Sequence, residues 1–174
     1  AIVAAGAACL QRHERDDPAG TLVQLHVNAA IATLQLSDPD HFNCFSTGLG
    51  EDMRRAVQHV RACSGVATVV LQGAGPHFSI GGNPYAHQRE ADATMAGFVM
   101  SLRELYDGFL QLRLLAHPVV CAVHGTVIGG GVAACLHSDY LLAESTSLFE
   151  HGNLVRGVCV LGDALAHVCL RPQT

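Results

Sequence analysis

The sequence predicts an α/β fold, on three observations. Apolar strand-like runs alternate along the chain with stretches of helical periodicity. Two of those runs lead into glycine clusters, "HFSIGGNPY" at 77–85 and "HGTVIGGGVAAC" at 124–135. The composition, 174 residues of which 49% are hydrophobic and 14% charged, suits a chain that buries a core of its own.

The elements follow in order. Residues 1–20, "AIVAAGAACLQRHERDDPAG", read as a linker or N-terminal extension ahead of a domain at 21–174. Their apolar start is short, has no basic segment before it and meets "QRHERDD" at once, a poor pattern for a signal peptide. "TLVQLHVNAAIATLQLS", 21–37, alternates as two strands around Asn28-Ala29, which predicts a hairpin. After the turn-rich "DPDHFNCFS", the stretch 46–63 places Leu49, Met53, Val57 and Val60 on one helical face, with Ser46 or Thr47 as its cap. "ATVVLQG", 67–73, is a buried strand running into the first glycine cluster. In 91–116, Phe98, Leu102, Leu105 and Phe109 form the apolar stripe of a second helix. "HPVVCAVHG" is the next buried strand, "GGGVAACLHS" a helix and "DYLLAES" a further strand. The order strand, glycine turn, helix thus occurs twice.

Charge narrows the partners. The net charge is −5, and all ten basic residues are arginines dispersed along the chain, so nucleic acid is not expected. No membrane segment is expected either. The seven cysteines (9, 44, 63, 121, 135, 159 and 169) show no C-x-x-C spacing and several lie in apolar runs. They read as free buried thiols of a cytoplasmic protein, and no metal site is expected.

A glycine turn at the head of a helix admits positive φ, lets another group approach the backbone, and presents unpaired N–H groups with partial positive charge. It is also, often, only a tight turn. Two such turns giving one N–H each to a single oxygen would stabilise a thioester enolate or a tetrahedral oxyanion. Phosphate binding is disfavoured, because neither cluster carries the lysine and hydroxyl of a P-loop or a G-x-G-x-x-G with a distal acid.

The succession "HFNCFS", helix, "ATVVLQGAGPHFSIGGN", helix, "HPVVCAVHGTVIGGGVAACLHSDYLLAESTSLF" resembles the enoyl-CoA hydratase/isomerase (crotonase) superfamily from Leu22 to Gly157. The resemblance implies a crotonase-like spiral of ββα units, a homotrimer or a hexamer, and an acyl thioester whose carbonyl sits in an oxyanion hole. By motif position the donors are the N–H groups of Ile80 and Gly130, with Gly81, Gly82, Gly129 and Gly131 shaping the substrate site. No cofactor is implied beyond the coenzyme A or phosphopantetheine that the substrate carries, and an acyl carrier protein is a candidate partner. The family continues with C-terminal helices that this chain is expected to lack.

Departures from the family pattern bear on the reaction. Its hydratases hold water between two glutamates, and Ala133 and Asn153 stand at the matching positions here, with Glu150 available through a gap. Alanine moves no proton and an amide has no useful pKa. The polar candidates are Tyr85, His87 and Asn153 for catalysis, and His151 and Arg156 for substrate binding. His124 is expected to shape its turn, and His137 and Asp139 to cap a helix end and order the next strand. With no lysine in the chain, phosphate contacts would fall to arginines such as Arg89, Arg156 or Arg171. An oxyanion hole without the glutamate pair suits a lyase that decarboxylates or dehydrates polyketide-type β-branching intermediates. A hydratase/isomerase with a shifted acid–base group, and a catalytically silent thioester- or partner-binding module, are the alternatives.

Overall fold

Period-two alternation builds the first pair of strands. In the computed structural model, which describes residues 21–82, 100, 103 and 106–150, β1 (Val23–Asn28) and β2 (Ile31–Leu36) pair antiparallel with Asn28 opposite Ile31. The two-residue connection is Ala29-Ala30, one residue later than expected, and Ala29 takes a positive φ of 52°. Val23, Leu25 and Val27 point to the same buried side as Ala32, Leu34 and Leu36. A one-residue slip would turn all six to the other face.

Helix α1 (Thr47–Ala62) forms where the periodicity placed it. Ser46 Oγ caps it by accepting from the Leu49 N–H at 3.2 Å, and Leu49, Met53, Val57 and Val60 are buried against the sheet. Each such side chain contributes roughly 1.5–3 kcal/mol when fully buried. Asp52, also buried, ties the helix to the hairpin: it accepts from the Leu22 N–H at 2.7 Å and pairs with Arg55.

Strands β3 (Thr68–Gly73), β4 (Val119–Val123) and β6 (Tyr140–Ala143) extend the sheet in the order β1-β2-β3-β4-β6, parallel from β2 onward. A helical segment at 106–110 and a 3₁₀ turn, Gln111–Leu114, precede β4, with Phe109 and Leu112 in the core. Two strands escaped the sequence reading. β5 (Thr126–Ile128) and β7 (Leu148–Glu150) form a separate two-stranded parallel sheet, too short at three residues each to show a period. β4 therefore does not run straight into the second glycine turn; β5 intervenes before helix α2 (Gly130–Cys135).

Parallel pairing puts the C-terminal ends of β2, β3 and β4 along one edge, so the loops that leave them meet there. That edge carries both glycine clusters.

Cys44, Cys121 and Cys135 are free and buried, as expected. The Cys121 thiol hydrogen-bonds to Cys135 at 3.7 Å, and that bond together with burial pushes its pKa far up, which keeps it inert. Cys63 corrects the reading of uniformly free thiols, because it is disulfide-bonded. Among the described residues no helix is long and apolar enough to cross a membrane.

Candidate active site

The loop after β2 is the scaffold of the site. Its centre is Asn43, fully buried at a φ of 53°. The Asn43 amide nitrogen donates toward three carbonyls of the loop after β3, those of Ala74 and His77 at 2.9 Å and Phe78 at 3.1 Å. Its Oδ1 accepts from the Asp38 N–H at 2.9 Å. One side chain thereby clips the approach to the first glycine cluster onto the loop before α1. Asparagine suits the place because it tolerates left-handed φ and carries both a donor and an acceptor.

Ser79 continues the clip. Its buried hydroxyl donates to the Asn43 carbonyl at 2.8 Å and accepts from the Gly81 N–H at 3.1 Å. Ser79→Ala leaves both backbone groups unpaired in a dry setting, and is expected to cost about 1–3 kcal/mol. Urea unfolding of the two proteins measures this, and a difference below about 0.5 kcal/mol, the scatter of neutral surface changes, would show that the hydroxyl holds nothing.

The two glycine clusters touch. Ser79 bridges Val127 in parallel, and the Ile128 N–H donates to the Ser79 carbonyl at 3.1 Å. A Cβ on Gly131 would lie 2.4 Å from that carbonyl oxygen. A Cβ on Gly81, at a φ of 77°, would lie 2.5 Å from the Ile128 carbonyl and 2.6 Å from the Gly130 nitrogen. Glycine is required at these places because backbone fills the space a side chain would take. Gly82 is different, with open space where its Cβ would be.

At the junction the two expected donors are unequal. Gly130 opens α2, where no intrahelical acceptor exists for its N–H. The Ile80 N–H donates to the Phe42 carbonyl at 3.2 Å, the long end of the range, so a thioester oxygen would have to share or displace that bond. Gly129, with a φ of 49° and a ψ of −107°, is held by the Glu150 carbonyl, which accepts from its N–H at 3.0 Å. Glu150 thus acts on the site through its backbone, while its residue stands exposed in β7.

The wall beside Gly130 is aromatic. A Cβ there would meet the Phe45 ring at 3.2 Å and the Tyr106 hydroxyl at 2.8 Å. Phe45 is anchored by its N–H, which donates to the Gly81 carbonyl at 2.8 Å, and its ring stacks on Phe109 with centroids 4.0 Å apart. Tyr106 meets the Phe45 ring edge-on at 5.8 Å. Burial raises the Tyr106 pKa above its usual 10. The sequence reading missed Tyr106, because a tyrosine inside an apolar helical stretch carries no signal that its hydroxyl reaches a loop far along the chain.

Ala133 is buried in α2, its N–H bonded to the Gly129 carbonyl at 3.1 Å. Its methyl group offers no proton. His124 Nε2 meets the Gly75 carbonyl at 2.8 Å and shapes its turn. His137 Nδ1 contacts the Ala133 carbonyl at 2.6 Å at the end of α2. Asp139 exchanges hydrogen bonds with Val119, side chain accepting at 2.7 Å and N–H donating at 2.8 Å, and so orders β6 beside β4. Asn83, Tyr85, His87, Arg89, His151, Asn153, Arg156 and Arg171 lie outside the described residues, as do residues 1–20 and Phe98, Leu102 and Leu105 of the helical stripe.

The fold and the junction define a class: an α/β domain whose two glycine-bared turns, one after β3 and one after β5, are locked backbone to backbone. The chain belongs to the enoyl-CoA hydratase/isomerase family, which it matches over residues 26–162. It is 31% identical over 146 residues to the Mycobacterium bovis protein named probable enoyl-CoA hydratase echA12, covering 76% of this chain and 48% of that one. It is 28% identical over 127 residues to the 1,2-epoxyphenylacetyl-CoA isomerase of Escherichia coli, covering 71% and 48%. A crystal structure of an enoyl-CoA hydratase/carnithine racemase from Magnetospirillum magneticum superposes with a TM-score of 0.76 at 22% identity, over 86% of this chain and 57% of that one, and shows the fold. The chain spans about half the length of the curated relatives it matches.

Proposed function

We propose that this chain serves an acyl-thioester lyase that stabilises an enolate with backbone amides and activates no water. The observation that carries the reading is Ala133. A side chain without a proton stands beside the triple glycine, next to a Gly130 N–H with no acceptor in its own helix. In the decarboxylation of a 3-methylglutaconyl-type thioester the bond between C4 and the carboxylate breaks, its electron pair forms a C3–C4 double bond, the former C2–C3 pair moves to the carbon next to the thioester, and the charge spreads onto the carbonyl oxygen. Donors fixed in advance at that oxygen lower the barrier, because they need no reorganisation as charge develops. The thioester would be delivered on coenzyme A or on an acyl carrier protein, and a polyketide-type β-branching intermediate is the substrate class we favour. The names of the relatives favour a second reading, hydration or isomerisation of an enoyl thioester, in which Glu150 would have to supply the acid–base group.

The test is to incubate the chain with 3-methylglutaconyl thioesters on both carriers and follow mass change. Loss of CO₂ is the expected result; gain of water favours the second reading. A side chain cannot probe Gly130, since Phe45 and Tyr106 fill the space around it. Replacement of its amide by an ester, with glycolate at 130, removes the N–H and adds no bulk. This change is expected to slow turnover by about 10²–10³, the usual effect of deleting one oxyanion donor. An unchanged rate would remove Gly130 from the mechanism.

A further inference from the structure

We infer that the Tyr106 hydroxyl is the acid of this site, giving its proton to the thioester enolate at the carbon next to the carbonyl; the inference rests on the enolate reading above. Three independent features bring the hydroxyl there. It lies 2.8 Å from the position of a Cβ on Gly130, at the point where both glycine clusters meet. Its ring is set edge-on against Phe45, which the Gly81 carbonyl and the Phe109 ring hold in place. Its helical segment lies tight against α1, because at Gly108 a Cβ would fall 2.0 Å from the Gly50 carbonyl; any larger residue would push Tyr106 away from the junction.

Chemistry fits the placement. The hydroxyl has no hydrogen-bond partner among the described residues, so its donor is free for a ligand. Burial favours the neutral phenol, so the hydroxyl holds its proton at neutral pH. When the carboxylate leaves as CO₂, the enolate holds the electron pair. The pair forms a C–H bond with the Tyr106 proton, the O–H bond breaks, and solvent water returns a proton to the phenolate. A site with alanine at position 133 has a proton donor after all.

The experiment compares the full chain with Tyr106→Phe, which keeps the ring on Phe45. Turnover of 3-methylglutaconyl-coenzyme A is followed by mass, and binding by calorimetry with a thioester analogue whose carboxylate is a nitro group, ionised to the nitronate as an unreactive image of the enolate. The expected result is a fall in kcat of about 10²–10⁴ with KM changed less than about threefold, and unchanged circular dichroism. Nitronate affinity should fall roughly tenfold or more, the loss of one hydrogen bond to a charged group. A variant with wild-type kcat overturns the inference and leaves the lyase reading standing. If the wild type releases no CO₂, the lyase reading fails, and the nitronate decides on Tyr106. Weaker binding by Tyr106→Phe supports the hydroxyl as donor at the enolate; equal binding, or none by the wild type, overturns it.

Discussion

Gly81→Ala is expected to dismantle the site while the core stays folded. The added methyl would stand 2.5 Å from the Ile128 carbonyl and 2.6 Å from the Gly130 nitrogen, both backbone atoms, at a φ of 77°. Neither neighbour has a rotamer to change, so the two loops must part. A displacement near 1 Å at a reacting centre costs on the order of 10² in rate, and the strained backbone about 1–3 kcal/mol in stability. Gly82→Ala is the matched control for stability, since its Cβ enters open space. Thermal melts of both variants and turnover of the first separate the effects. If Gly81→Ala melts with Gly82→Ala and turns over like the wild type, the contact between the clusters is not what builds the site.

The second large effect is expected from Asn43→Ala. The change removes the donor facing the carbonyls of Ala74, His77 and Phe78 and the acceptor for the Asp38 N–H, all at a site buried from water. It also places alanine at a positive φ of 53°. Unpaired buried groups and left-handed backbone together predict a loss of about 3–5 kcal/mol. Asn43→Gly loses the same hydrogen bonds without the backbone penalty, and should recover about 1–2 kcal/mol of it. Urea unfolding of the pair resolves the two contributions. Stability within about 1 kcal/mol of wild type for Asn43→Ala, the average effect of any substitution, would mean that the loops are held by other contacts.

Much of the frame was legible in the sequence because it is periodic. Val23, Leu25 and Val27, then Ala32, Leu34 and Leu36, alternate as strands must, and Leu49, Met53, Val57 and Val60 recur at helical spacing behind a serine cap. β5 and β7 were not legible, since three residues show no period and their pairing joins positions more than twenty apart. Resemblance in the motifs paired the N–H groups of Ile80 and Gly130 as the expected donors. It did not disclose that the Ile80 N–H is already bonded to Phe42, nor that Asn43 and Ser79 hold the first cluster in place.

What the sequence by itself determined is local and repetitive: the hairpin, α1, the buried strands, and two glycine turns. That alanine stands at 133, two residues after the triple glycine, is also a fact of sequence alone. Only the tertiary structure decided that the two turns share one junction and that a tyrosine 24 positions before Gly130 meets them there. The physical reason is that parallel strands deliver distant loops to a common edge, and hydrogen bonds across that edge depend on register and packing that no local pattern encodes.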